Sequence, residues 1–109
     1  MTHNAQHKID ALIEIGAENI LENTINKLVS FQIAKYQRTI RQIKQEVRLF
    51  EEKYNMTSEE SYQRFNTGEL GDDGDFFEWI GLWENILLYQ KRIEMLGAEN
   101  AAGRISEET

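Results

Sequence analysis

The stretch Val29-Ser-Phe-Gln-Ile-Ala-Lys-Tyr-Gln-Arg-Thr-Ile-Arg-Gln-Ile-Lys-Gln-Glu-Val-Arg-Leu-Phe-Glu-Glu-Lys-Tyr54 decides the fold. Its apolar residues fall at Val29, Ile33, Tyr36, Ile40, Ile43, Val47, Phe50 and Tyr54, an unbroken alternation of four and three. That spacing sets them on one face of a helix as a heptad seam, with Val29, Tyr36, Ile43 and Phe50 at d and Ile33, Ile40, Val47 and Tyr54 at a. The seam from Ile33 to Tyr54 is therefore the expected oligomer contact. Leu28, Phe31 and Leu49 lie outside it and mark a second packing surface on the same helix.

Working outward, the chain of 109 residues has no proline and no cysteine. Such a composition favours uninterrupted helices and excludes disulfides, thiol nucleophiles and cysteine zinc sites. Upstream of the seam, Ile9, Leu12, Ile13, Ile15, Ile20, Leu21 and Ile25 keep roughly helical spacing, weakened by Gly16, Asn19, Asn23, Thr24 and Asn26. A short helix over 5–15 with a break near Gly16 follows. Downstream, Asn55 can end the long helix and Thr57-Ser-Glu-Glu60 reads as a capping box, with Glu60 reaching back to the cap. A short helix with Tyr62 and Phe65 on one face then stops at Gly68. Asp72 or Asp73 caps a last helix whose apolar face includes Phe76, Trp79, Ile80, Trp83, Ile86, Leu87, Ile93 and Leu96, ending before Gly97.

The expected fold is all-α: a long antiparallel helical hairpin with a short helix in the connection, coiled-coil-like. One domain covers 1–97, with an N-terminal helical extension over 1–28, the heptad helix over 29–55, the short helix over 57–67 and the C-terminal helix over 72–96. Residues 98–109 are small, polar and acidic and are expected to be a disordered tail. Two long helices bury only a narrow stripe, so a second chain should complete a bundle, with a homodimer favoured.

Chemistry is sparse. The turn Gly68-Glu-Leu-Gly-Asp-Asp-Gly-Asp-Phe-Phe-Glu-Trp79 concentrates carboxylates above aromatics. Its acids, Glu69, Asp72, Asp73, Asp75 and Glu78, lack the order of a calcium loop, because the glycine sits among them and the position six residues after Gly74 is Ile80. Helix capping and docking of a basic partner account for them better than a metal. Phe76, Phe77, Trp79 and Trp83 read first as core. The adjacent Phe76 and Phe77 point about 100° apart on a helix, so one of them is hard to bury and suits an interface anchor. Lys35, Arg38, Arg41, Lys44 and Arg48 form a basic stripe, but the net charge of −7 opposes nucleic-acid binding. A match to the acidic C-terminal half, within the chain or between chains, uses these cations better. His3 and His7 have the spacing of a zinc pair without a third ligand or the intervening Glu of a metalloprotease. No catalytic residue, cofactor site or metal site is assigned. With no export signal and no apolar run near the roughly 18 residues that span a bilayer, a soluble cytoplasmic protein is expected.

Lys53-Tyr-Asn-Met-Thr-Ser-Glu-Glu60, Arg64-Phe65, Gly68-Glu-Leu-Gly-Asp-Asp-Gly-Asp75 and Glu78-Trp79 resemble the signature of a family of small prokaryotic helical proteins with a GELGDDxDxxEW motif. The resemblance covers about residues 50 to 96. Asn55, Gly74 and Gly81 depart from the pattern, which bears on the geometry of the turn. What the resemblance implies is the antitoxin half of a toxin-antitoxin pair, partnered with a TumE-type toxin. The expected function is thus a non-enzymatic interaction module that neutralises a basic toxin through Glu69, Asp72, Asp73, Asp75, Phe76, Phe77, Glu78, Trp79 and Trp83. A self-assembling coiled-coil protein with no other partner is the alternative, and a metal-dependent helical enzyme a minor one.

Overall fold

A computed structural model of the chain describes residues 2–97, and the expectation for the tail over 98–109 lies outside them. Among the described residues there are four helices and no strand: α1 (Thr2–Glu14), α2 (Glu18–Tyr54), α3 (Ser58–Asn66) and α4 (Gly74–Met95). The contacts divide the chain after Gln32 into two compact units. The sequence reading takes 1–97 as one domain, and the division falls just beyond the end of its 1–28 extension.

Local chemistry stops each helix. After α1, Gly16 takes φ 86°, and the amides of Gly16 and Ala17 donate to the carbonyls of Ile13 and Leu12 at 3.1 and 2.9 Å. This is the paired bond pattern of a left-handed C-terminal cap. Asn55 does the same after α2 with φ 51°, the Met56 amide donating to the Glu51 carbonyl at 3.2 Å. Gly68 and Gly97 stand at the same place after α3 and α4. The asparagines before Lys27 do not break α2. Asn19, Asn23, Asn26 and Ser30 recur at steps of four, three and four, so they share one polar face of a continuous helix.

In the N-terminal unit none of residues 4–32 is buried. The C-terminal unit holds the core. Ile40 and Val47 of α2 are buried with Trp79 and Ile86 of α4, and Ile43, Phe50, Tyr54, Phe76, Trp83, Tyr89 and Ile93 pack around them. Tyr36 stacks on Tyr89 with ring centroids 5.3 Å apart, Phe50 on Trp79 at 5.8 Å, and Tyr54 meets Phe76 at 4.9 Å. As residue number rises along α2 it falls along α4, so the two helices are antiparallel. The hairpin is as expected. What differs is the seam's partner: Tyr36, Ile40, Ile43, Val47, Phe50 and Tyr54 turn toward α4 of the same chain, and half-buried Ile33 lies at the start of that face. An aromatic-rich α4 offers the seam an apolar surface after one connection, which costs far less ordering entropy than recruiting a separate chain.

Candidate functional site

The connection from α2 to α4 is where polar groups meet. Thr57 caps α3, its hydroxyl oxygen accepting from the Glu60 amide at 3.1 Å. The reciprocal half of the expected capping box is not made. Glu60 instead pairs with Arg64 at 3.4 Å, one turn on. Glu51 of α2 caps the same helix end one residue further on: its Oε2 accepts from the Ser58 amide at 3.0 Å and from the Ser58 hydroxyl at 2.8 Å. A carboxylate at a helix N-terminus is favoured by the dipole as well as by the hydrogen bonds. The same Ser58 oxygen accepts from the Trp79 indole Nε1–H at 2.8 Å. Glu51, Ser58 and Trp79 thus tie α2, α3 and α4 together, with Ser58 and Trp79 fully buried.

A second tie lies beside it. Asp75, in the first turn of α4, accepts through Oδ2 from Lys53 Nζ and from the Tyr54 hydroxyl, each at 2.6 Å. The Lys53 and Tyr54 hydrogen bonds hold the Asp75 carboxyl below the usual carboxylate range. In return the bond to Asp75 raises both Lys53 and Tyr54, with burial adding to the shift at Tyr54. Asp73 is the N-cap, accepting from the Asp75 amide at 2.9 Å.

Two of the five turn acids are therefore committed to structure. Glu69, Asp72 and Glu78 are exposed, and only Glu69 has a cation near it, Arg64 at 3.9 Å. Among the described residues no group of three or more potential ligands is arranged to hold a metal ion.

The aromatics separate in the same way. Trp79 is 0 % exposed, so the side chain assigned to partner binding from its place beside the turn is unavailable on the surface. Its indole finds both a stacking partner and a hydrogen-bond acceptor inside, which is what a buried tryptophan requires. Trp83 and Phe76 are half-buried against the core. Phe77 is the one left outward: it is 56 % exposed, its ring set T-shaped to that of Phe65 with centroids 5.3 Å apart. Of the side chains expected to bind a partner, the fold leaves Glu69, Asp72, Asp73, Phe77 and Glu78 exposed, with Asp73 also serving as the N-cap of α4.

The basic stripe of Lys35, Arg38, Arg41, Lys44 and Arg48 is exposed, and among the described residues none of these cations pairs with a carboxylate. Among the described residues the one long-range ion pair uses Lys53 instead. Neither polar tie was foreseen from the sequence. The available signal was that a core tryptophan needs an acceptor and that serine and threonine collect at helix starts. Among the described residues no helix is long and apolar enough to cross a membrane. No family model, curated protein or solved structure matches the chain.

Proposed function

We propose that this chain is a non-enzymatic helical interaction module, antitoxin-like, that neutralises a basic protein partner by docking it on the turn before α4. The observation that carries the reading is Phe77: a large ring held outward on a firmly tied helix start, among the unpaired carboxylates of Asp72 and Glu78. A fixed aromatic anchor ringed by charge suits an interface, where the ring supplies affinity and the carboxylates supply rate and selectivity. A preorganised turn also loses little freedom on binding. The cytoplasm is part of this proposal, because a toxin must be neutralised where it is made.

Co-expression with the product of the neighbouring gene, followed by affinity purification, tests it. A basic neighbour should co-purify and lose the interaction with Phe77→Ala or with Asp72→Lys and Glu78→Lys together. A neighbour that neither co-purifies nor harms cells when expressed alone would sink the reading. The second reading, self-assembly as the chain's whole role, is favoured by the exposed apolar residues before Ile33.

A further inference from the structure

We propose that the outward line of α4 formed by Gly81, Leu88 and Met95 is a two-fold contact, packed antiparallel against the same line of a second copy of this chain. These residues recur at steps of seven, which on a helix of 3.6 residues per turn keeps them within about 40° of one another. Leu88 is 43 % exposed and Met95 76 % exposed, on the side of α4 away from buried Trp79 and Ile86.

The line carries a hollow as well as projections. Gly81 stands inside α4, where glycine costs helix stability relative to alanine. Nothing among the described residues asks for it: its φ is not positive, and a Cβ there would meet nothing within 4 Å. A glycine with no local reason leaves room for a close approach from outside.

Register names the occupant. In an antiparallel pair with the two-fold axis at Leu88, the two Leu88 side chains meet and Met95 of each copy comes over Gly81 of the other. The most exposed apolar side chain of α4 thus fills the hollow. Glu84 and Lys91, also seven apart, border the line on one side, and both are exposed. An antiparallel two-fold brings like flanks together, so the same register places Glu84 of each copy within one residue of facing Lys91 of the other. Among the described residues neither has an ion-pair partner, and Glu84 accepts only a 3.4 Å bond from the Tyr62 hydroxyl. Steric fit and charge select one register, the self-complementarity that a two-fold interface requires and an unrelated partner has no reason to match. A parallel pair would set Gly81 on Gly81 and Met95 on Met95, leaving hollow and projection unmatched. Phe77 is farther from Leu88 along α4 than Met95 is, so the second copy's helix stops short of it and the docking turn stays open.

Sedimentation of the full chain tests the proposal. A short strip of this kind belongs with small, reversible interfaces, so mass is read across a concentration series reaching about 1 mM. The unaltered protein should become a dimer within that series. Leu88→Glu, which brings two like charges together on the axis, should keep it monomeric while ellipticity and Trp79 emission stay those of the parent. Gly81→Leu should weaken the dimer roughly tenfold by filling the hollow, although leucine is the better helix former. Glu84→Lys or Lys91→Glu alone should weaken it by roughly five- to tenfold, because symmetry counts each contact twice, and the two together should restore it. Tyr62→Phe should leave association unchanged, since it removes the hydroxyl bond to Glu84 and no charge. A chain monomeric throughout the series overturns the proposal. A dimer indifferent to Leu88→Glu and Gly81→Leu does so as well, and a charge swap that fails to restore association overturns the register.

Discussion

Two buried serines in α3 differ only in what surrounds their hydroxyls, and substitution should separate them. The Ser58 oxygen is acceptor to the Trp79 indole and donor to Glu51, so Ser58→Ala leaves a buried N–H without a partner. The expected loss is about 1–3 kcal/mol in urea denaturation. Ser61 is equally buried, but its hydroxyl has no partner among the described residues. Ser61→Ala should therefore be neutral or stabilise by up to about 1 kcal/mol. Asp75 sets the acid limb. Its folded value lies below that of an unfolded aspartate, so its contribution is complete above the unfolded value and fades as pH falls through the lowered folded one. Lys53 and Tyr54 act at the opposite end: both are raised in the folded chain, so their contribution is present below their ordinary values and is lost as pH rises through the raised ones. Asp75→Asn should lower stability at neutral pH and flatten both limbs of a stability-versus-pH curve. Limbs unchanged from the parent would show that the Lys53–Asp75–Tyr54 contact is not formed in solution.

Among the helices, the ends were legible in the sequence and the cross-connections were not. Gly16, Asn55, Gly68 and Gly97 act through their own backbone, and Thr57 and Asp73 through amides two or three residues away, so each announces itself locally. The seam was legible as a seam, but spacing names a face and not what covers it. For that reason α4 was not identified as its cover. Likewise Glu51, Ser58 and Trp79 are brought together only once α3 and α4 are seated, and no spacing rule relates them. Of the docking set, Phe77 was anticipated as one of a pair, whereas Trp79 was misplaced because aromatic spacing alone does not tell an inward face from an outward one. Glycine in mid-helix gives a further check. A Cβ at Gly81 would meet nothing within 4 Å and its φ is not positive, so Gly81→Ala should raise stability by roughly 0.8–1 kcal/mol. Gly68 has equal room, but its φ of 79° makes Gly68→Ala destabilising by about 1 kcal/mol. The opposite signs, read from thermal or urea unfolding, isolate backbone conformation from space.

For the whole molecule, the distribution of charge predicts how it meets partners. Exposed cations line α2 from Lys35 to Arg48, while exposed acids gather at Glu69, Asp72 and Glu78. Among the described residues none of these cations pairs with one of these acids, so their fields remain available at a distance. Association of a basic partner at the acidic turn should slow steeply as salt rises, with dissociation much less affected, in stopped-flow measurements. A salt-independent association rate would place the docking surface elsewhere.

The placement of Trp79 has one more consequence. Both tryptophans and all four tyrosines lie after Ile33, so the N-terminal unit carries helix but almost no ultraviolet chromophore. Indole emission, with Trp79 stacked on Phe50 and on Tyr54, reports on the C-terminal unit alone, whereas far-ultraviolet ellipticity reports on every turn of helix. The protein therefore carries a built-in optical separation of its two halves. In thermal unfolding the ellipticity of the N-terminal helix, which buries no side chain over 4–32, should begin to fall before the emission of the buried Trp79 changes.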